Sequence, residues 1–158
     1  MMATSRPACQ DADPELFFPD HELQDHHDRV VSAKSVCSTC SLNVACLGGA
    51  ILRRETEGIW GGYTPAERFA LLRDTRRLGR EVGFAVQQLD RGNPYRVRPD
   101  DLLAVVHRLS LRGWTTERLS VALGTTPKAV AKVHQRARAA VACLAAMKNA
   151  EVQLDMAA

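Results

Sequence analysis

The sequence is poor in aromatic residues and has no long hydrophobic segment. Phe, Trp and Tyr together make up 5% of the 158 residues, so any core must be built mainly from Leu, Val and Ala. The longest uninterrupted apolar run, residues 139–147, is far shorter than the roughly 18 residues that a membrane helix needs. The first residues also lack the apolar segment of a secretory signal. We therefore expect a cytoplasmic protein with no membrane partner.

The sequence also lacks alternating strand patterns of useful length, whereas helix signals recur along it. Apolar residues at helical spacing predict helices over 22–36 and 42–57, the second ending at Gly58. Thr64, followed by Pro65 and Glu67, has the spacing of a capping box and opens a third helix that carries Phe69 and Leu72. Further helices are predicted over 101–112, over 117–123, and from Thr126 past residue 140. The predicted fold class is therefore all-α.

Charge is distributed unevenly, although the net charge is only +3. Residues 1–60 carry a net charge of −4, and residues 98–140 carry a net charge of +5. A Gly-Asn-Pro sequence at 92–94 marks a boundary between these regions. We predict two modules, over 1–80 and 96–148, joined by a helical extension and linker over 81–95 and followed by a flexible tail over 149–158. The basic module suits nucleic acid, but a solvated Arg-rich surface would have the same composition.

Four of the five cysteines lie within the first 46 residues: Cys9, Cys37, Cys40 and Cys46. Clustered thiols in a reducing compartment favour a metal site over a disulfide framework. Zinc and an iron–sulfur cluster both accept four thiolates, and spacing alone does not separate them. A single C-x2-C pair in an irregular pattern favours the wider cluster. The fifth cysteine, Cys143, lies in an Ala-rich apolar run and is predicted to be a small core residue.

Two other interpretations of the thiols stay open. Cys37 and Cys40 could form the redox pair of a thiol–disulfide oxidoreductase, although that motif normally begins a helix beside a strand. A zinc-stabilised DNA-binding protein is the other alternative. His21, His26 and His27 could replace a cysteine ligand, but such histidines more often lie on a solvated helix surface. No catalytic constellation is evident, so we do not expect an enzyme.

The second module has the pattern of a helix-turn-helix. Leu119, Leu123, Val130 and Val133 have the spacing to close a small core with apolar residues of the 101–112 helix. Trp114 is predicted to join that core. The third helix would carry a basic face that suits phosphates and guanine edges. The candidate DNA contacts are Thr126, Lys128, Lys132, Gln135 and Arg136. The alternative is a three-helix packing module with a solvated basic face.

The order of several motifs resembles the WhiB-like family of actinobacteria and their phages. These motifs are Cys9, the Asp-Pro-Glu-Leu-Phe-Phe-Pro segment at 13–19, the C-x2-C-x5-C pattern, and Gly-Ile-Trp-Gly-Gly at 58–62. The resemblance covers about residues 9–77. It implies a [4Fe–4S] cluster held by Cys9, Cys37, Cys40 and Cys46.

The same resemblance implies docking on domain 4 of the principal sigma factor of RNA polymerase. In the family this contact uses the tryptophan of the Gly-Ile-Trp-Gly-Gly segment at 58–62, here Trp60; we call this segment the glycine turn. It also uses aromatic residues of the segment at 13–19, here Phe17 and Phe18. Because Phe17 and Phe18 are adjacent on a short helix, we expect one to pack inward and the other to face a partner.

The predicted function is transcriptional regulation. The cluster would be a structural element and a sensor of redox state or nitric oxide, and its loss would leave thiols that can form a disulfide. The oligomeric state stays open, because a helix-turn-helix often binds DNA as a dimer, whereas docking on polymerase would allow a monomer.

Overall fold

The computed structural model describes residues 6–20 and 24–157, and this part of the chain is mainly helical. Two 3₁₀ helices, Ala8–Asp11 and Pro14–Phe17, come first. The α-helices that follow are α1 (His26–Ser38), α2 (Asn43–Leu52), α3 (Pro65–Leu78), α4 (Gly83–Asp90), α5 (Leu102–Leu111), α6 (Thr116–Ala122) and α7 (Pro127–Ala157). Within the described ranges, extended pairing is limited to one isolated bridge between Trp60 and Tyr63. The all-α prediction is confirmed.

Helix α3 begins as the sequence predicts. The Thr64 hydroxyl accepts a hydrogen bond from the Glu67 amide at 3.3 Å, and the Glu67 carboxylate accepts one from the Thr64 amide at 2.9 Å. This reciprocal pair is a capping box, and it satisfies two amide groups that the first turn would otherwise leave without a partner.

Helix α2 ends five residues before the predicted end. Arg54 takes a left-handed conformation with φ of 58°. The Glu55 amide donates to the Ala50 carbonyl at 2.9 Å, and the Arg54 amide donates to the Ile51 carbonyl at 3.1 Å. These two bonds form a Schellman motif with Arg54 in the place that glycine usually takes. The predicted helix end at Gly58 is therefore wrong, and Gly58 instead belongs to the following turn.

The chain divides into two compact units, unit 1 (Met1–Ala70 and Cys143–Ala158) and unit 2 (Leu71–Ala142). These bounds differ from the modules predicted from charge and turn residues. The segment predicted as a helical extension and linker contributes Val82, Val86 and Leu89 to the core of unit 2. Helix α7 continues to Ala157, through the segment predicted as a flexible tail.

Unit 2 contains α5, α6 and the part of α7 up to Ala142, which are the helices in which the sequence predicts a helix-turn-helix. Its core has eleven buried residues, of which Leu109, Leu119 and Val130 are almost fully enclosed. Trp114 is buried as expected, and its indole N–H donates to Asp90 at 3.0 Å. Gly124, with φ of 60°, allows the turn between α6 and α7. The predicted core of this unit is confirmed.

Among the described residues, no single helix is long and apolar enough to cross a membrane. Helices α1 and α2 satisfy the length and composition requirements only as a pair, and that pair is bent by 116°.

Candidate functional site

Four cysteines, from three helices of unit 1 and one turn, line one cavity of about 310 Å³. Cys9 lies on the first 3₁₀ helix, Cys37 in the last turn of α1, Cys40 in the turn between α1 and α2, and Cys46 on α2. All four are free thiols. Cys37 is buried, Cys40 and Cys46 are half-buried, and Cys9 is exposed. The fold thus brings together the four cysteines that the sequence singles out.

Three of the four sulfur atoms accept hydrogen bonds from backbone amides. The Ala8 amide donates to Cys40 Sγ at 3.4 Å. The Gly62 amide donates to the Cys37 sulfur, and the Gly61 amide donates to the Cys46 sulfur. Amide donors around thiolate ligands stabilise their negative charge and tune the metal that they hold. Sequence reasoning missed these donors because a backbone amide carries no side-chain signal.

Burial raises the pKa of the Cys37 and Cys46 thiols above the ordinary value. The amides of Gly62 and Gly61 oppose this rise, while the neighbouring thiols add to it. Without a cation these two thiols therefore hold their protons more strongly than a free cysteine. A metal that coordinated these thiols would displace the protons, so its binding would release protons and depend on pH.

The glycine turn lies directly against α2. A Cβ on Gly61 would lie 2.4 Å from the Asn43 carbonyl oxygen and 2.8 Å from the Leu47 Cβ atom. Gly61 also has φ of 58°, so both space and conformation require glycine here. This close approach is what brings the Gly61 amide to the Cys46 sulfur.

A buried arginine on α3 is hydrogen-bonded to the backbone of the glycine turn and the residues around it. The Arg68 side chain on α3 is 3% exposed and donates to four backbone carbonyls of residues 55–63, at 2.7–3.0 Å. Sequence reasoning missed Arg68, because Phe69 is the apolar neighbour and looks like the core residue of this helix. In the structure Phe69 is 69% exposed.

The three aromatic residues predicted to dock the sigma factor have different environments. Phe17 is buried and packs with Ala33, Cys37 and Ile59, so it is a core residue and not part of an exposed surface. Phe18 is 53% exposed and meets the half-buried Trp60 edge to face, with ring centroids 6.3 Å apart. One phenylalanine therefore packs inward, as expected, and Phe18 is the one that is accessible to a partner in this structure.

The histidines do not join the cysteine cavity in the described part of the chain. His26 lies at the start of α1 and His27 is exposed, and the lining of the cavity includes neither. His21 lies outside the described residues. Cys143 is buried in α7 as predicted, and it does not line the cavity.

The predicted DNA contacts lie on α7, but one of them has another partner. Lys128, Lys132 and Gln135 are exposed. The Thr126 hydroxyl caps the helix by accepting from the Ala129 amide at 3.2 Å. The Arg136 guanidinium donates to both carboxylate oxygens of Asp74, at 2.8 and 2.5 Å. This ion pair occupies the edge of the guanidinium formed by Nε and Nη2, so Arg136 is not a free basic group in this structure.

Comparison with known proteins identifies the first half of the chain. The sequence profile of the family described as "Transcription factor WhiB" matches residues 4–71. Transcriptional regulator WhiB1 of Bifidobacterium longum is 39% identical over 83 residues, which are 52% of this chain and 90% of that protein. WhiB1 of Mycobacterium tuberculosis is 37% identical over 75 residues, 48% of this chain and 89% of that protein. WhiD of Streptomyces coelicolor is 40% identical over 67 residues, 41% of this chain and 60% of that protein.

These relatives are transcriptional regulators, so this protein is a regulator rather than an enzyme. The family profile ends at residue 71, which leaves α4 to α7 outside the match. The similarity covers nearly the whole of the two WhiB1 proteins, and the family profile includes every cysteine of the cavity. The chain therefore belongs to the WhiB family of transcriptional regulators.

Proposed function

We propose that this protein regulates transcription through a [4Fe–4S] cluster in unit 1, a docking surface for the principal sigma factor, and a DNA-binding surface on unit 2. The observation that carries the proposal is the common cavity of Cys9, Cys37, Cys40 and Cys46. Four thiol donors, three of them with an amide donor at the sulfur, match the chemistry of an iron–sulfur cluster.

The size of the cavity favours a cluster over a single ion. One tetrahedral zinc needs four sulfurs that converge to about 2.3 Å from a common point. Among the described residues, no three His, Cys, Asp or Glu side chains are grouped closely enough to hold one metal ion. The four cysteines instead line a cavity of about 310 Å³, which has room for a cluster of several irons and sulfides.

When bound, the cluster would cross-link three segments and present iron that reacts with oxidants and nitric oxide. The chain supplies the four thiolates and the amides that stabilise them. The apolar cluster beside the site has only four buried residues, and Cys37 is one of them. Loss of the metal would therefore remove a major stabilising element and leave thiols free to oxidise. This dependence is the basis of a sensing function.

The docking surface is proposed around Phe18 and Trp60. The two rings contact each other edge to face, and both have solvent-accessible area. The Trp60 indole N–H is held by the Glu57 carbonyl at 3.0 Å, so the ring is fixed before a partner binds. A rigid, partly exposed tryptophan is a good anchor for an interface. We propose domain 4 of the principal sigma factor of RNA polymerase as the partner.

The DNA-binding surface is proposed on unit 2. Residues 71–142 contain fourteen basic and six acidic side chains, a net charge of +8. Lys128 and Lys132 are exposed on α7 and take part in none of the ion pairs among the described residues. We propose that α7 is the helix that enters the DNA groove.

The metal centre is tested by purifying the chain without oxygen, recording its visible spectrum, and measuring iron, sulfide and zinc. We expect a broad visible band with about four irons and four sulfides per chain. A colourless protein with one zinc would replace the cluster by the zinc alternative. A metal-free protein that reduces insulin disulfides, and loses this activity in Cys40→Ser, would favour the oxidoreductase.

The docking surface is tested by measuring binding to isolated sigma factor domain 4. We expect Phe18→Ala and Trp60→Ala each to weaken binding by about tenfold or more, as buried aromatic anchors do. Phe84→Ala is the matched control, because Phe84 is an exposed phenylalanine of unit 2 that packs on Tyr95. Equal affinities for all three variants and the wild type would contradict docking at this surface.

A further inference from the structure

The guanidinium of Arg68 is buried without a carboxylate partner among the described residues. Its Nη1 atom donates to the carbonyls of Gly58 at 2.7 Å and Tyr63 at 2.8 Å. Its Nη2 atom donates to the carbonyls of Glu55 at 3.0 Å and Glu57 at 2.9 Å. Burying a charge is costly unless hydrogen bonds satisfy it, so this arrangement is built around the four carbonyls. All four hydrogen bonds of the guanidinium go to one short segment, residues 55–63.

The four carbonyls enclose the glycine turn at both ends. Those of Glu55, Glu57 and Gly58 precede Trp60, and that of Tyr63 follows Gly62. Two of them have a second donor within the turn. The Glu57 carbonyl also accepts from the Trp60 indole at 3.0 Å, and the Tyr63 carbonyl also accepts from the Trp60 amide at 3.1 Å. Arg68 and Trp60 thus share two acceptors.

The same short turn also reaches the thiols. Gly61 and Gly62 donate to the sulfurs of Cys46 and Cys37, and Trp60 lies between Arg68's acceptors and these glycines. We propose that Arg68 is a positioning residue that holds the turn as one rigid unit, so that Trp60 and the two amide donors to sulfur keep their places together. This inference goes beyond the proposed function. It rests on that function only for the metal centre and the docking surface that the turn would serve.

The consequence is a coupling between the metal centre and the docking surface. A change at the thiols alters the hydrogen bonds of Gly61 and Gly62, and Arg68 transmits that change to Trp60 because it fixes both ends of the turn. Arginine suits this role because its planar group presents five donors in a fixed geometry. A lysine would keep the charge but could not reach four carbonyls in this arrangement.

The test compares Arg68→Lys and Arg68→Gln with the wild type and with Arg73→Gln. Arg73 is the matched control, because it is an exposed arginine on the same helix. Hydrogen exchange followed by mass spectrometry reports the opening of residues 58–63 and, separately, of α1. We expect exchange in the turn to rise by about tenfold or more in both Arg68 variants, as lost hydrogen bonds to a charged group imply. Exchange in α1 should stay close to that of the wild type.

This separation distinguishes positioning from general stabilisation. If Arg68 only stabilised the fold, α1 and the turn would open together in the variants, and that result would overturn the inference. Unchanged exchange in the turn would overturn it as well. If neither variant folds, hydrogen exchange of the wild-type protein still tests the inference. Turn amides that exchange as fast as those of an unstructured peptide would show that Arg68 does not hold the turn.

Two further readouts link the turn to its functions. In the variants we expect a lower reduction potential of the metal centre, because sulfur ligands that lose amide donors favour the oxidised cluster. We also expect weaker binding to sigma factor domain 4, with both effects absent in Arg73→Gln. A wild-type protein without iron and sulfide would refute the cluster proposal. The exchange experiment would still test Arg68, since it needs no metal.

Discussion

Unit 1 and unit 2 differ in what holds them together. The core of unit 2 has eleven buried residues drawn from α4 to α7 and the turns between them. The apolar cluster beside the thiols of unit 1 has four, and one of these is the thiol-bearing Cys37. Unit 2 thus has a conventional apolar core, whereas this part of unit 1 is arranged around a cavity lined by sulfur. We propose from this difference that unit 1 depends on a metal for its stability and that unit 2 does not.

The two units also differ in charge. Unit 1 carries seven basic and twelve acidic side chains, a net charge of −5, against +8 for unit 2. Within unit 2 most carboxylates are already paired with arginines; these are Asp74, Glu81, Asp90, Asp100 and Asp101. These carboxylates are therefore not available to the exposed lysines of α7, which can bind a polyanion such as DNA. An acidic unit that docks on a protein and a basic unit that binds DNA would form one regulator.

The largest effect is expected from replacing a thiol of unit 1. Cys37→Ala should reduce bound iron to near zero, because it removes a ligand that is also part of the small apolar cluster. Iron analysis of anaerobically purified protein measures this. Cys143→Ala is the control, since Cys143 is also buried but does not line the cavity. If Cys37→Ala binds as much iron as the wild type, the proposal that unit 1 is arranged around a metal is contradicted.

A large but separate effect is expected from truncating the core of unit 2. Leu119 is fully buried, so Leu119→Ala should lower the free energy of unfolding of unit 2 by about 2–4 kcal/mol. Urea denaturation followed by circular dichroism measures the change. Val121→Ala, at an exposed position of the same helix, should change it by less than about 0.5 kcal/mol. The iron content should not change, and its loss would show that the units are not independent.

A smaller effect is expected at the basic surface. Lys128→Ala and Lys132→Ala should each weaken DNA binding and reduce the slope of log affinity against log salt by about one, if each contacts one phosphate. Fluorescence anisotropy with duplex DNA over a range of salt concentrations measures the slope. Lys148→Ala is the control, because Lys148 is an exposed lysine of α7 that belongs to unit 1. If all three variants have the same slope as the wild type, the DNA-binding surface does not include Lys128 and Lys132.

The smallest effect is expected at the ion pair between Asp74 and Arg136. Asp74→Asn removes the negative charge that engages Arg136, so DNA binding should strengthen by about 0.5–1 kcal/mol. Titration of the variant with duplex DNA measures the gain. The gain should disappear in the double variant Asp74→Asn with Arg136→Gln, because the freed guanidinium is its source. A gain that persists in the double variant would exclude Arg136 as the cause.

Local patterns allow accurate prediction where neighbouring residues decide the structure. The capping box of Thr64 and Glu67 and the core positions Leu119 and Val130 are examples, because spacing within a few residues determines them. The four cysteines are a special case. Cys9 is distant in sequence from the others, and the combination of motifs rather than any local signal predicted that they meet.

Prediction failed where a partner from far along the chain, or an unusual backbone conformation, decides the outcome. Arg136 looked like part of a free basic face, but Asp74, 62 residues earlier, pairs with it. No local pattern singles out Arg68, because its acceptors are backbone carbonyls that come together only when the glycine turn folds. Arg54 ends α2 in a left-handed conformation that no sequence rule assigns to arginine.

The central claim is that the metal stabilises unit 1 while unit 2 is stable through its own core. The most direct test is hydrogen exchange of the whole chain before and after anaerobic removal of the metal. We expect a loss of protection in α1 and α2, together with the glycine turn at 58–62, and unchanged protection in α5 and α6. Unchanged protection in unit 1, or an equal loss in both units, would contradict the account.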